Sequence, residues 1–310
     1  MPDLPRRTLG KTGLDVSVLG FGAAPAAFLK EDRDRVEKII RFLLDEGLNL
    51  IDTATSYPGG HQFLGETIMD RRDDFVLVSK VGTAGGGMDK NRPEKIAKQI
   101  DDALSNMKVD HVDVMLLHSA TLEVLEADEA LEVMVEAREA GKVRHVGYSG
   151  DNDAAAFACR LPDVAVLECS VNVADQRNAR EVLPKAKAHD VGVIAKRPIA
   201  NAAWKDLSDQ KGFYKTYAKT YTQRLAAMKE QADGLEPAEF GCDSWAELAM
   251  RFTLAQPIST AIVGTTDPAN AEANLKIAQK GPLDDTHAEH LRAAFSKAAE
   301  AAGEDWPAQT

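Results

Sequence analysis

The stretch VDVMLLHSATLEVLEADEALEVMVEAREAGKVRHVGYS, residues 112–149, best defines the fold of this chain. It holds two short apolar runs, VDVMLLH (112–118) and VRHVGYS (143–149), on either side of a helical pattern over 123–140. Short length and enrichment in β-branched side chains favour buried strands over helix segments. Two strands joined by a helix predict a right-handed βαβ unit and therefore a parallel sheet.

The same alternation continues along the rest of the chain. Six further apolar runs are predicted strands: VSVLGFG (16–22), LNLID (48–52), FVLVSK (75–80), VAVLE (164–168), VGVIAK (191–196) and TAIVG (260–264). Further helical patterns cover 33–46, 62–71, 93–107, 153–159, 177–189, 242–256 and 267–279. Eight strand–helix units predict an α/β fold of the closed (β/α)8 TIM-barrel type. An open doubly wound sheet is the alternative, but no helix-poor edge strand is present.

Barrels of about 250 residues form one domain, so residues 1–310 are expected to be a single barrel domain. RTLGKTGLDVS (7–17) contains a hairpin-like turn and is expected to plug the barrel floor. The segment 200–240 follows the seventh strand and is interpreted either as a substrate loop or as a helical insertion. It contains the aromatic residues Trp204, Phe213, Tyr214, Tyr217 and Tyr221. A final amphipathic helix is predicted over 284–301.

Composition excludes several other classes of protein. The 310 residues are 44% hydrophobic and 28% charged, which is typical of a globular chain. A net charge of −12 argues against a nucleic-acid partner, which would require a basic face. No apolar run is long enough for a membrane span, and no signal peptide is recognised. The cysteines, Cys159, Cys169 and Cys242, lack metal-ligand spacing, so we expect no metal site and a cytoplasmic, reducing location.

Polar residues terminate six of the predicted strands. They are Asp52, Lys80, His118, Ser149, Glu168 and Lys196. In a (β/α)8 barrel these positions surround one mouth at the carboxyl ends of the strands, where barrel enzymes hold their active sites. A single polar strand end is uninformative because strands often emerge into solvent, but six in register predict a functional site.

The motifs around these residues resemble the aldo-keto reductase superfamily over about residues 7–278. The resemblance is carried by RTLGKTGLDVSVLGFG (7–22), GLNLIDTATSY (47–57), SYPGGHQFLGE (56–66), VLVSKVG (76–82), VDVMLLH (112–118) and AIVGTTDPANAEANL (261–275). It implies a catalytic tetrad of Asp52, Tyr57, Lys80 and His118. The function it implies is reversible reduction of a small aldehyde or ketone by a nicotinamide cofactor.

Elementary chemistry supports such a tetrad. A carbonyl that receives hydride develops negative charge on oxygen and needs a proton donor. Tyrosine, with a pKa of about 10, is a weak donor, and a cation within about 4–6 Å lowers that pKa. Lys80 is the expected cation, held and kept charged by Asp52, while a neutral His118 donates a hydrogen bond to the carbonyl oxygen. We expect Tyr57 to act as the general acid.

The resemblance also implies an extended cofactor, NADP(H) by family default, bound across the mouth without a Rossmann fold. GFGAAP (20–25) agrees, because it is a degraded glycine fingerprint with no helix expected directly after it. Gly22 is expected to let the backbone approach the nicotinamide. GTAGGGM (82–88) is interpreted as a flexible loop at the mouth. Ala24, Pro25 and Phe28 are expected in the pocket wall.

The segment GTTDPANAEANL (264–275) predicts the opposite end of the cofactor site. Asp267 is a predicted helix N-cap and Pro268 the first helical residue, and a helix N-terminus is a ready anion site. The resemblance implies that this segment holds the adenosine 2′-phosphate and that Asn274 contacts adenine. The implied phosphate-end residues are Gly264, Thr265, Thr266 and Asn270. The basic residue that the family often places here is absent, so NAD(H) use is a second possibility.

Three further departures from the family pattern cluster around the nicotinamide. Ser149-Gly150 stands for Ser-Asn, Glu168 for Gln, and Lys196 for a stacking aromatic residue. Because the sixth and seventh strands are neighbours, we predict an ion pair between Glu168 and Lys196, since an unpaired buried charge is costly. Arg197 is interpreted as a pyrophosphate ligand or as part of a surface salt bridge.

Two other functions fit the same barrel. Lysines at strand ends, Lys80 and Lys196, suit a Schiff-base lyase of the aldolase type, because a buried lysine can have a lowered pKa. A non-catalytic sensor or regulatory subunit that only binds the cofactor is the other alternative.

Overall fold

A computed structural model describes residues 4–28, 33–210 and 214–310 of the chain. An antiparallel hairpin, β1 (Arg6–Thr8) and β2 (Asp15–Ser17), precedes eight parallel strands. These are β3 (Leu19–Gly22), β4 (Leu50–Asp52), β5 (Val76–Val81), β6 (Val112–His118), β7 (Val143–Ser149), β8 (Val164–Ser170), β9 (Gly192–Lys196) and β10 (Thr260–Val263). Each barrel strand pairs with the next, and β10 closes onto β3. The predicted (β/α)8 barrel is confirmed, and every predicted strand overlaps one of these eight.

Helices connect the strands and cover the barrel. They are α1 (Ala24–Phe28), α2 (Arg33–Asp45), α3 (Gly60–Thr67), α4 (Pro93–Met107), α5 (Leu122–Ala127), α6 (Glu129–Glu139), α7 (Asn152–Ala158), α8 (Arg177–Glu181), α9 (Leu183–Ala188), α10 (Tyr214–Gln231), α11 (Trp245–Leu254), α12 (Pro268–Gln279) and α13 (Asp285–Ala302). The pattern over 123–140 divides into two helices at Asp128, which has φ of 63°. The expectation that no helix follows GFGAAP is wrong, because α1 begins two residues after β3.

Alternation along the strands separates the barrel interior from its outer layer. Inward side chains form one cluster that includes Leu50, Val76, Val78, Val114, Leu116, Val166 and Ile194. The outward faces pack against the helices in a second, larger cluster. Because strand side chains alternate with period two, the inward rows continue to residues 52, 80, 118, 168 and 196 at the carboxyl ends. The fold therefore directs all five of these polar side chains to the same mouth.

The N-terminal hairpin closes the opposite end of the barrel, as predicted. Leu9 and Val16 belong to the interior cluster, and Gly10 forms a bridge to Val191 at the start of β9. Gly10 has φ of 51°, and a Cβ there would lie 2.1 Å from the Gly192 nitrogen. Only glycine fits this close approach.

The segment 200–240 is largely helical, and five of its residues also lie at the carboxyl ends of the barrel strands: Asn201, Asp209, Gln210, Tyr214 and Tyr217. Its main element, α10, packs Tyr221 and Met228 against Leu291 and Phe295 of α13, in a core cluster beside the barrel. Phe213 lies outside the described residues. Helix α13 agrees with the prediction over 284–301. Among the described residues, every helix is too short or too polar to span a lipid bilayer.

Candidate active site

A cavity of about 900 Å³ opens at the carboxyl ends of the barrel strands. Most of the predicted site residues line it: Gly22, Asp52, Tyr57, His118, Ser149, Glu168, Lys196, Arg197, Gly264, Thr265, Thr266 and Asn270. The two that do not are Lys80, which is buried beneath the lining, and Asn274, which is buried on α12. Residues from all eight strands or their following loops thus surround one space.

Lys80 is held between two carboxylates under the cavity floor. Its side chain is 1% exposed, and its Nζ donates a hydrogen bond to Asp52 Oδ1. The same Nζ lies 3.1 Å from Glu168 Oε2 and 3.2 Å from the Thr53 carbonyl oxygen. Burial alone would lower the pKa of this ammonium, but Asp52 and Glu168 together raise the pKa above its ordinary value. Lys80 is therefore charged, which argues against a Schiff-base role.

Tyr57 sits directly above this ammonium. The loop after β4 is fixed to β5 by a hydrogen bond from the Thr55 nitrogen to the Lys80 carbonyl oxygen, at 3.0 Å. The Tyr57 nitrogen donates to the Ala54 carbonyl oxygen, which closes a turn. As a result, Lys80 Nζ lies 5.5 Å from the centre of the phenol ring. His118 meets the same ring edge-on, with ring centres 6.3 Å apart.

The electrostatics of Tyr57 and His118 differ from each other. Burial raises the pKa of the Tyr57 phenol above its usual value, although Lys80 acts in the opposite direction. The expected net lowering of the pKa is therefore not seen, because burial outweighs the Lys80 charge, and Asp52 and Glu168 offset that charge further. Burial, helped by Lys80 and Lys196, lowers the pKa of His118 to about 3. The imidazole is neutral near pH 7, as expected, and its Nδ1 lies 3.4 Å from Ser56 Oγ.

Two buried imidazoles make the stability of the fold depend on pH. Burial, reinforced by Lys80, also lowers the pKa of His61 to about 4, whereas an unfolded histidine has a pKa of about 6.5. Below about pH 6.5 the unfolded chain therefore binds protons that the folded chain does not. These two imidazoles therefore contribute a fall in the free energy of unfolding on acidification, by up to about 1.4 kcal/mol per pH unit each. The buried carboxyls of Asp52 and Asp175 contribute in the opposite direction, because burial raises the pKa of Asp52 well above its ordinary value and that of Asp175 to about 7.

Urea unfolding between about pH 7 and about pH 4.5 measures this dependence. The slope of the free energy of unfolding against pH should be less positive in His118→Asn than in the wild type, because an imidazole that takes up a proton only on unfolding is lost. Ser56→Ala is the matched control, since it removes a neighbour of His118 without removing a titrating group. An unchanged slope in His118→Asn contradicts the prediction.

The predicted ion pair between Glu168 and Lys196 is wrong. Glu168 instead reaches Lys80, and Lys196 Nζ lies 2.9 Å from Asp151 Oδ2. The strand register gives the reason, because Glu168 is level with Ile194, two residues before Lys196 on β9. The barrel turns Glu168 inward toward β5, where the Lys80 ammonium is closer.

Asp151 was missed by the sequence analysis. Its Oδ1 accepts hydrogen bonds from the Ser170 nitrogen and from Asn178 Nδ2, each at 2.7 Å. These bonds fix the carboxylate that positions Lys196. Asp151 lies just after β7, in SGDND (149–153). Acidic residues are common in surface turns, so the sequence does not distinguish Asp151 from an ordinary turn residue.

Arg197 is neither part of a surface salt bridge nor free to rotate. Its Nη1 donates to Ser170 Oγ at 2.9 Å and to the Gln309 carbonyl oxygen. The guanidinium stacks on Tyr217, 3.8 Å from the ring centre. Within residues 4–28, 33–210 and 214–310, no carboxylate forms an ion pair with it. Its positive charge therefore lacks a close counter-ion beside the cavity.

C-terminal residues form part of the cavity wall, which the sequence analysis also missed. Thr310 lines the cavity, and the Gln309 nitrogen donates to Asp175 Oδ2 at 3.0 Å. Trp306 anchors this segment, with its ring centre 5.1 Å from that of Phe295. The single tryptophan in the otherwise polar segment EDWPAQT (304–310) is the sequence signal that could have indicated that this segment packs against the rest of the fold.

The N-terminus of α12 has the predicted cap. Asp267 accepts a hydrogen bond from the Ala269 nitrogen at 2.9 Å, and Pro268 is the first helical residue. Asp267 also lines the cavity here, together with hydroxyl and amide side chains. The nearest basic residue along this helix, Lys276, is paired with Glu272 at 2.6 Å. This end of the cavity thus has a carboxylate and, among its described lining residues, no cation.

The glycine-rich loop after β5 lies at the mouth of the barrel, as expected, and contacts the buried Asn91 side chain. Ala84 and Gly85 line the cavity. The buried Asn91 side chain accepts a hydrogen bond from the Thr83 nitrogen at 2.9 Å and donates to the Gly86 carbonyl oxygen at 2.6 Å. Ala24 and Pro25 line the wall as predicted, while the Phe28 side chain lies outside the described residues.

The carboxyl ends of the barrel strands bring together a buried ammonium, two carboxylates, a phenol and a neutral imidazole. This arrangement is the architecture of a barrel enzyme. Residues 18–295 match the model of the Aldo/keto reductase family, and the chain belongs to this family. It is therefore an oxidoreductase that interconverts carbonyl and alcohol groups.

Individual relatives are distant but cover nearly the whole chain. Uncharacterized oxidoreductase YqkF of Bacillus subtilis is 25% identical over 93% of this chain and 95% of its own length. L-galactose dehydrogenase of Arabidopsis thaliana is 26% identical over 89% of this chain and 88% of its own length. The holo form of aldo-keto reductase AKR11C1 from Bacillus halodurans is 24% identical over 94% of this chain and 96% of that one, with a TM-score of 0.77. This last similarity concerns the fold.

Proposed function

We propose that the chain transfers hydride reversibly between an NAD(P) cofactor and a small aldehyde or ketone, with Tyr57 as the general acid. The observation that carries the proposal is the Lys80 ammonium, fixed by buried carboxylates 5.5 Å from the centre of the Tyr57 ring. A phenolate formed there is stabilised by the ammonium as the proton leaves. In the reverse direction the same phenolate accepts the proton of the alcohol.

The other members of the tetrad have supporting roles in this proposal. Asp52 keeps Lys80 charged and in place. The neutral imidazole of His118 donates one hydrogen bond to the substrate oxygen, and its lowered pKa prevents it from becoming a competing cation. Because Tyr57 and His118 both line the cavity while Lys80 does not, the substrate meets the two hydrogen-bonding groups and not the ammonium.

The cavity suits a dinucleotide. Its volume, about 900 Å³, is near the upper end of the range for small-molecule sites. When bound, a reduced nicotinamide supplies the hydride. The predicted contacts that line the cavity are proposed to hold the cofactor: Gly22, Ser149, Glu168, Lys196, Arg197, Gly264, Thr265, Thr266 and Asn270. Asn274 lies behind this lining on α12, so its predicted contact with adenine is proposed only for a cofactor that reaches past Asn270. Arg197 suits an anionic group, since its guanidinium has no carboxylate partner among the described residues.

We further propose that NAD(H) is accepted at least as well as NADP(H). The α12 end of the cavity offers the hydroxyls of Thr265 and Thr266 but also the Asp267 carboxylate, which repels a 2′-phosphate. A phosphate at this end gains no charge-assisted partner from the described lining residues. NADP(H), the usual cofactor of the family, therefore lacks the cationic contact that would favour its binding over that of NAD(H).

Asn270→Arg is expected to shift cofactor preference toward NADPH by about tenfold, because a charge-assisted hydrogen bond contributes about 1.5–3 kcal/mol. The measurement is kcat/KM with NADH and with NADPH for one accepted aldehyde. Asn270→Gln, which adds length without charge, is the control and should leave the ratio unchanged. A more than hundredfold NADPH preference in the wild type, unaltered by Asn270→Arg, contradicts the proposal.

A spectrophotometric assay of NADH and NADPH oxidation against a panel of aldehydes and ketones tests the proposed function directly. Turnover of at least one carbonyl, with the matching alcohol as product, supports it. Tight cofactor binding without hydride transfer to any member of the panel supports the alternative of a non-catalytic sensor.

A further inference from the structure

Glu168 places a second carboxyl group beside the single buried ammonium of Lys80. The family pattern has a neutral glutamine at this position. This chain has the carboxylate of Glu168 instead, and the residue is only 3% exposed. Lys80 already has Asp52 as a partner, so two carboxylates share one ammonium. Burial, and after it the charge of Glu168, hold the pKa of Asp52 well above its ordinary value, so the cluster favours additional positive charge, either a proton or a cationic ligand.

The orientation of Glu168 leaves part of its carboxylate unsatisfied. Ser149 Oγ donates to Oε1 at 3.3 Å. Oε2 lies 3.1 Å from the Lys80 ammonium but, within the described part of the chain, accepts no well-aligned hydrogen bond. Glu168 also lines the cavity, so a ligand is exposed to its field without an intervening side chain layer.

The other cations of the mouth do not neutralise this charge. Lys196 is paired with Asp151 at 2.9 Å. Arg197 is held by Ser170 and by the Gln309 carbonyl oxygen, and it stacks on Tyr217. Neither Lys196 nor Arg197 forms an ion pair with Glu168 among the described residues, so this carboxylate remains available to a cationic ligand.

We infer that Glu168 makes this site select the oxidised, cationic form of the nicotinamide over the reduced, neutral form. This inference rests on the proposed function, and it names Glu168 as a residue that sets the relative affinity for the two redox forms. The two forms differ by one positive charge on the ring, so the carboxylate pair interacts with them unequally. A ligand equilibrium shifts only by such a difference in interaction free energy.

A bias of this kind has a functional consequence. Tighter binding of the oxidised form stabilises the state from which an alcohol is oxidised. The site therefore favours dehydrogenase chemistry more than a barrel of the same family with glutamine at this position. Glu168→Gln restores that neutral residue with almost the same size and shape.

Calorimetric dissociation constants for NAD⁺ and NADH, and for the phosphorylated pair, test the inference without requiring turnover. In Glu168→Gln we expect the affinity for the oxidised form, relative to the reduced form, to fall by about tenfold or more. Glu168→Asp keeps the charge and should keep most of the wild-type ratio. Asp113→Asn is the matched control, since it removes a buried carboxylate at the opposite end of the barrel, where Arg72 and Arg144 bind it.

The possible outcomes separate the inference from the proposed function. If Glu168→Gln melts like the wild type and its ratio is unchanged, the inference is wrong. If the wild-type protein binds neither form of either cofactor, the proposed function is wrong instead. Should Glu168→Gln not fold, Asp52→Asn replaces it, because removal of either carboxylate leaves Lys80 with a single partner and must shift the ratio in the same direction.

Discussion

Replacing Tyr57 with phenylalanine is expected to lower kcat for carbonyl reduction by about 10²–10⁴-fold, the usual contribution of a general acid. The ring fills the same space, so its edge-on contact with His118 is retained. Only the hydroxyl, the group that exchanges a proton with the substrate oxygen, is lost. The loss is large because burial keeps solvent away from this oxygen and Lys80 stabilises the phenolate that forms when Tyr57 gives up its proton.

Cofactor affinity provides the control for Tyr57→Phe. The dissociation constants of NADH and NADPH should change little, because the proposed cofactor contacts do not include the phenol oxygen. Stopped-flow single-turnover measurement distinguishes a slow chemical step from slow product release. If the single-turnover rate of Tyr57→Phe equals that of the wild type, Tyr57 is not the general acid.

Lys80→Met is expected to destabilise the fold by about 3–5 kcal/mol near pH 7 as well as to abolish most activity. The reason is that Asp52 and Glu168 lose their shared cation while remaining almost fully buried. Two unpaired carboxylates then face each other in a low-dielectric site. Chemical denaturation at pH 7 measures the loss, and the stability difference should shrink at lower pH as these carboxylates take up protons.

A triple variant, Lys80→Met with Asp52→Asn and Glu168→Gln, separates the two effects of Lys80. Removing all the charges together should recover most of the lost stability, since a neutral cluster avoids the unpaired charge. Activity should stay low because the phenolate of Tyr57 still lacks its cation. A triple variant as unstable as Lys80→Met shows that packing of the lysine stem, not charge, dominates its contribution.

Much of the fold could be predicted because barrel strands have a strong local signal. VLVSKV and VAVLECS are buried along their whole length as β5 and β8, so their apolar runs are almost uninterrupted. Helix α4 begins at Pro93 and ends at Met107, the predicted bounds, because proline at the first helical position marks its start. Breaks such as that at Asp128 were missed, since an interruption of one residue barely changes the helical pattern.

The sequence predicted which residues belong to the candidate site, but not which of them contact each other. Six polar strand ends were identified from sequence, and all but Lys80 line the cavity. Asp151 pairs with Lys196, and Gln309 accepts a hydrogen bond from Arg197, although each pair is distant in the chain. The Gln309 contact is made by its backbone carbonyl, which carries no sequence signal. The net effect of burial on the pKa of Tyr57 likewise requires the assembled mouth of the barrel.

The amino-acid sequence by itself determined the eight strands and placed Asp52, Lys80, His118, Glu168 and Lys196 at their carboxyl ends, because each of these residues ends an apolar run. The tertiary structure decided which of these charges meet. Glu168 reaches Lys80, and Lys196 reaches Asp151, although neighbouring strands suggested otherwise. Pairing between side chains depends on strand register and on distances across the closed barrel, and no local pattern encodes those distances.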